Sequence, residues 1–175
     1  MIRYIVYLPI NLLVAMIACL IAPVLPLFAD DNGWLPSWLW WFQTPDASIN
    51  GDSGWRDVNS HPIVNLLPKY CRQVLWLIRN PSYGFNWTVL ATKPLPAEWS
   101  YRGNINCDRA LGVTSHVLVR CGKYFQFRAY LKYPMINYCF QINVGWNMHE
   151  LCVAGKQTCV NAKYRFTPHP FKKMV

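Results

Sequence analysis

From Tyr4 to Ala29 no side chain is charged, and the nineteen residues of 4–22, YIVYLPINLLVAMIACLIA, are predominantly apolar. A helix over that run reaches about 28 Å at ~1.5 Å per residue, close to the hydrocarbon thickness of a bilayer. The pattern predicts one transmembrane helix, with Pro9 tolerated inside it and Pro23 and Pro26 ending or bending it. A cleaved secretory signal is the weaker reading. The run is longer than a signal's apolar segment, and Leu27-Phe28-Ala29 makes a poor small-x-small cleavage site. A lipoprotein signal ending at Cys19 would turn polar after the cysteine, whereas this chain stays apolar for ten more residues. A buried core helix is the third possibility, and length argues against it.

The following nine residues, WLPSWLWWF, place Trp34, Trp38, Trp40, Trp41 and Phe42 directly behind the predicted span. Indole rings favour the head-group layer, where the ring is apolar and the N–H finds a partner, so these five residues are the candidate membrane interface. Residues 43–62 are then polar and rich in turn formers, with Asn50-Gly51 and Ser53-Gly54 as turn signals. They read as a solvated linker. Asp46, Asp52 and Asp57 offer oxygen ligands, but their spacing is not that of a calcium loop.

Helical periodicity returns after Ile63. Leu67, Cys71, Val74, Leu75 and Ile78 recur at three and four residues, while Asn65, Lys69, Arg72 and Arg79 gather on another side. The expected helix is Leu67–Arg79, with Pro68 in its first turn and Asn80-Pro81 as its stop. Its apolar side either rests on a membrane or covers the sheet that follows. The second reading is preferred because a one-sided sheet needs a lid.

Alternation with a period of two then dominates. Phe125, Phe127, Ala129, Leu131 and Tyr133 oppose Tyr124, Gln126, Arg128, Tyr130 and Lys132, and the even-numbered residues from Tyr138 to Met148 are apolar. A hairpin loop at 134–137 sets Leu131 opposite Phe140 and Phe127 opposite Val144. His116–Cys121 and Val160–Phe166 read as further strands, and Asn86–Ala91 and Trp99–Ile105 are additional candidates. The expectation is an α+β protein: an N-terminal transmembrane helix, then an amphipathic helix packed on an antiparallel sheet of four or more strands. The segments are 1–29 as anchor, 30–62 as Trp-rich interfacial segment and linker, and 63–175 as basic domain.

Charge sharpens this division. Residues 1–60 hold two basic side chains against five acidic ones, a net of −3, and residues 61–175 hold fifteen against three, a net of +12. Such a surface attracts anionic lipid and nucleic acid alike. Tyr124, Arg128, Tyr130, Lys132, Lys163 and Arg165 form the candidate basic face, expected to be an ordinary solvated sheet face, with lipid or nucleic-acid binding as the functional alternatives. By the positive-inside rule Arg3 on one flank and Asp30 and Asp31 on the other favour a cytoplasmic N-terminus.

Catalytic motifs are absent from the sequence: no G-x-S-x-G, no P-loop and no G-x-G-x-x-G. Cys107, Asp108 and His116 can be assembled into a nucleophile and base only as any cysteine-rich chain permits. His149, Cys152, Cys159 and His169 are zinc-like in ligand type but not in spacing, so no metal, no cofactor and no catalysis are expected. If the domain is exported, bridges such as Cys152 to Cys159 become plausible; in a reducing compartment the cysteines are small buried apolar groups, as expected for Cys71.

The succession LPLFA, LPSWLWWFQTPD, GDSGW, RNPSYGF, NVGW and YRFTPHPFKK resembles a family of small membrane-associated proteins encoded by tailed bacteriophages and prophages. That resemblance implies a bacterial host and its inner membrane, and supplies no catalytic set. Sequence alone therefore points to a membrane-anchored phage accessory protein that binds a host or phage membrane protein or anionic lipid. A membrane-tethered nucleic-acid-binding module is the alternative.

Overall fold

The computed structural model describes residues 2–57, 61–93, 99–108, 111–149 and 161–174. The fold is α+β. Helices α1 (Ile2–Ile21), α2 (Ser53–Arg56), α3 (Pro62–Asn65), α4 (Lys69–Arg79) and α5 (Tyr83–Thr88) precede strands β1 (Trp99–Gly103), β2 (Ser115–Cys121), β3 (Tyr124–Lys132), β4 (Tyr138–Trp146) and β5 (Tyr164–Lys173). The chain divides into two compact units, one made of Met1–Ile5 with Leu90–Val175 and the other of Val6–Val89. The first turn of α1 thus belongs with the sheet, while the rest of α1 and α4 belong to the helical unit.

In the sheet unit the five strands form an antiparallel meander in chain order. The register expected from the sequence holds, with Phe127 opposite Val144 and Leu131 opposite Phe140. The last strand runs further than Val160–Phe166 suggested: it spans Tyr164–Lys173 and includes Pro168 and Pro170, while Val160 lies outside the described residues. Proline is tolerated there because β5 is an edge strand, where a missing N–H can face away from the ladder. Asn86–Ala91 is not a strand. Its first residues belong to α5, and only Thr92 beyond it makes a bridge, to Ala162.

The polar face of the sheet is largely buried, while the apolar face is fully buried at Ala129, Trp146 and Tyr164 and open elsewhere. Pairing aligns Val117, Arg128 and Asn143 in one row, Val119, Gln126 and Gly145 in the next, and all of them are buried. On the opposite face Leu118, Phe127 and Val144 are only half-buried, and Phe166 and Leu131 are exposed. The polar face is tolerable inside because Gln126, Arg128 and Asn143 are hydrogen-bonded there. Gln126 Oε1 accepts from the Met148 and His149 amides at 2.7 and 2.6 Å, and its Nε2 donates to Asn143 Oδ1 at 2.7 Å and Asn147 Oδ1 at 3.2 Å. The expectation of a solvated polar face is corrected: alternation located the faces, but the hydrogen-bond partners that bring the polar one inside come from residues 143–149 and from before β2.

The helical unit has its own core of Ala22, Leu25, Leu35, Leu39, Ile49 and Leu77, with Phe42 and Val74 packed against it. Among the described residues of the expected linker, 43–57 are packed rather than solvated throughout. Ile49 and Trp55 are buried, Asp52 caps α2 by accepting from the Trp55 amide at 2.7 Å, and Arg79 lies over the Trp55 ring. Helix α4 starts two residues later than expected and buries Gln73, Trp76 and Leu77. Cys71, Leu75 and Ile78 are exposed instead. Counting apolar residues selected the wrong side, because the Trp76 ring packed on Trp55 and the Gln73 amide bonded to Asn50 Oδ1 at 2.9 Å outweigh the aliphatic stripe. Leu77 and Val74 join the helical unit's own core.

Candidate functional site

The exterior of the helical unit carries many exposed apolar side chains. Along α1 Asn11, Ala18 and the following Ala22 are buried, whereas Leu13, Met16, Ile17 and Leu20 are exposed, Leu20 by 73%. Behind it a 3₁₀ turn at Ser37–Phe42 buries only Leu39, and this pin sends Trp38 and Trp41 outward. Trp34 stacks on Trp40 with centroids 6.3 Å apart, Phe28 meets the edge of Trp38 at 5.5 Å, and Trp41 meets Phe85 at 5.2 Å. Gly84 makes the α5 contact possible, since a Cβ there would lie 2.1 Å from the Trp40 carbonyl oxygen. Of the five interface candidates, Trp34, Trp38 and Trp41 are exposed, Trp40 is half-buried, and Phe42 packs on the core. Helix α4 adds the exposed stripe Cys71, Leu75 and Ile78, with Lys69 and Arg79 exposed beside it.

The six residues of the candidate basic face are not assembled into an open surface. Arg128 is buried: its guanidinium donates to the Tyr130 hydroxyl through Nε at 3.0 Å and Nη2 at 2.7 Å, pairs with Asp108 at 3.0 Å and meets His149 Nδ1 at 3.1 Å. His149 Nε2 lies 2.6 Å from the Ile105 carbonyl, which assigns the proton to Nε2 and leaves Nδ1 to accept from Arg128. Tyr130 and Lys163 are also buried, Tyr124 and Arg165 are half-buried, and Lys132 is exposed. Burial pushes the Tyr130 hydroxyl above its ordinary range, with Arg128 opposing the shift. The half-exposed apolar face of the same sheet carries an open groove of ≈ 450 Å³ lined by Leu118, Arg120, Lys123, Tyr124, Phe125 and Phe127.

The candidate nucleophile and base are kept apart. Cys107 is buried with its Sγ 3.3 Å from Ser115 Oγ, and burial pushes its thiol above the ordinary value, away from the reactive thiolate. His116 is exposed on the other side of β2, beside Phe127. Cys152 and Cys159 lie outside the described residues, so the zinc-like spacing and the bridge between them do too. Of the two histidines in that set, His149 is taken up by Arg128 and Ile105, and His169 is exposed on β5. Among the described residues no three His, Cys, Asp or Glu side chains stand close enough to hold a metal ion.

The architecture is thus that of a small α+β protein with one long exposed apolar helix and an aromatic exterior. The chain belongs to a family of unknown function, DUF7338, whose profile matches residues 1–175. No curated protein and no solved structure matches it.

Proposed function

We propose that this is a membrane-attached accessory protein that acts by binding rather than by catalysis, with anionic lipid as its ligand. The observation that carries the reading is α1: a helix of twenty residues, uncharged after Arg3, with its aliphatic stripe uncovered. The exposed indoles of Trp34, Trp38 and Trp41 supply head-group chemistry, and Lys69 and Arg79 beside the α4 stripe add attraction to negative lipid. The resemblance to phage-encoded membrane-associated proteins gives the setting, a bacterial inner membrane. A membrane-tethered nucleic-acid-binding module is the second reading. It is weakened by the burial of Arg128, Tyr130 and Lys163, which removes the face on which bases would stack.

Fractionation of the full-length chain from bacterial cells tests attachment: retention in the membrane after a carbonate wash is expected, and recovery in the soluble fraction overturns the reading. Purified protein added to vesicles tests the ligand. Binding to phosphatidylglycerol vesicles should exceed binding to phosphatidylcholine vesicles and should fall with salt. Equal binding to both would overturn the preference for anionic lipid.

A further inference from the structure

We propose that a cleft of the helical unit binds a phosphate group. The cleft, of ≈ 250 Å³, is lined by Asn50, Arg56, Lys69, Arg72 and Gln73, three cations and two amides with no carboxylate among them. All five residues belong to the helical unit. Packing brings them together. Asp52 caps α2, and the Trp55 ring meets Trp76 of α4 with centroids 5.6 Å apart, which sets Arg56 beside the start of α4. Lys69 and Arg72, three residues apart at the beginning of that helix, share a side. A chain of amides fixes the wall: Nε2 of the buried Gln73 donates to Asn50 Oδ1 at 2.9 Å, and Asn50 Nδ2 donates to the Asn32 carbonyl at 2.8 Å.

The positive charge is carried by the lining itself. Among the described residues Arg56, Lys69 and Arg72 make no ion pair and no side-chain hydrogen bond. Asp52 and Asp57, the acids nearest Arg56 in sequence, do not line the cleft. Three like charges converging on one concavity repel one another, and an anion seated among them removes that cost. Phosphate suits the set, because a guanidinium bonds its oxygens in pairs and an ammonium adds a point charge. Helix α4 begins here with Pro68 as its N-cap and no side-chain cap, so the helix end adds potential of the same sign. The cleft is smaller than the roughly 300–1,000 Å³ of sites that enclose whole small molecules, and no aromatic side chain lines it for a base to stack on. The phosphate is therefore gripped alone, with the rest of its molecule outside. Two sources present such a group, a phospholipid headgroup and a soluble phosphate compound. The headgroup is the expected one, and that choice of source rests on the membrane reading above.

Three full-length variants test the site beside the parent chain. Lys69→Gln with Arg72→Gln, and separately Arg56→Gln on a different element, alter the cleft; Lys132→Gln with Lys173→Gln, exposed and outside the lining, removes as much charge as the first pair. In non-ionic detergent, inorganic phosphate is compared with chloride at equal ionic strength. It should raise the melting temperature of the parent by about 2–4 °C more than that of either cleft variant, the shift that a ligand at several times its Kd gives a chain of this size. A rise of equal size in every chain is the general effect of an excluded salt and overturns the site. On phosphatidylglycerol vesicles the cleft variants should bind about tenfold more weakly than the parent, and the control pair within about twofold of it. An equal loss in the control pair shows diffuse attraction and overturns the headgroup source. Vesicle binding untouched in the cleft variants, with the phosphate shift present, assigns the site to a soluble phosphate compound and overturns the headgroup source alone. A parent chain that ignores the vesicles yet keeps the phosphate shift overturns the membrane reading and leaves the site standing.

Discussion

The hydroxyl of Tyr4 donates to the backbone carbonyl of Arg165 at 3.0 Å, joining the first turn of the apolar helix to the last strand of the sheet. In return the Tyr164 hydroxyl donates to the Tyr4 carbonyl at 3.2 Å. The two hydrogen bonds and the stacked rings between them make the first turn of α1 a structural member of the sheet unit. Tyr4→Phe should cost about 1 kcal/mol through the lost hydrogen bond, and Tyr4→Ala about 3 kcal/mol or more through the emptied aromatic site. Thermal unfolding of both variants in detergent checks the order; equal midpoints for Tyr4→Ala and the parent would show that the first turn is not built in.

Exposed and buried tryptophans should respond in opposite ways. Trp38 is 67% exposed and Trp76 only 5%. Trp38→Ala should leave stability within about 0.5 kcal/mol of the parent and weaken vesicle binding, whereas Trp76→Ala should lose about 3–5 kcal/mol. Sedimentation with vesicles and thermal unfolding, run on the same preparations, separate the two effects.

Gly84 is required by packing rather than by its own backbone angles. A Cβ there would lie 2.1 Å from the Trp40 carbonyl oxygen and 2.7 Å from that of Gln43, both rigid backbone atoms. Gly84→Ala should therefore destabilise by about 1–3 kcal/mol, although alanine is the better helix former. It should also disturb the neighbouring indoles, which the intrinsic fluorescence spectrum reads directly.

Alkaline pH should loosen the sheet unit. Burial raises the thiol of Cys107 above its ordinary 9.0, and burial raises the hydroxyls of Tyr130 and Tyr164 above their ordinary 10.0. A raised value in the folded state means that the unfolded chain loses its proton first. Stability is therefore fully present below about pH 9 and declines as pH climbs through the unfolded values toward the folded ones. The melting temperature should be level from pH 7 to about 8.5 and fall beyond, and Cys107→Ala should move the start of the fall toward the tyrosine range.

The sequence displayed periodicity faithfully and sidedness poorly. Length and polarity located α1 to within two residues, and alternation gave the β3–β4 register residue by residue. The choice of which side faces inward failed at α4, and at the sheet it missed the burial of the polar face, for one physical reason. A period reports that two sides differ, and the inward side is settled by partners distant in the chain. Gln126 is buried because the amides of Met148 and His149 reach it, and Trp76 is buried because Trp55 meets it. Ile49 was missed because one apolar residue in a polar stretch carries no period at all. The Trp cluster was legible as composition, but its outward direction depends on the Leu39 pin, which only the packing shows.

The two prolines of β5 bear on how the sheet meets other chains. An edge strand ordinarily presents a row of donors and acceptors on which a foreign strand can grow. At Pro168 and Pro170 the donors are missing, so β5 is a poor template for strand addition. β1 forms the other edge and contains no proline. Recruitment of a partner by strand addition, or the onset of edge-to-edge aggregation when lipid is removed, is thereby directed to Trp99–Gly103.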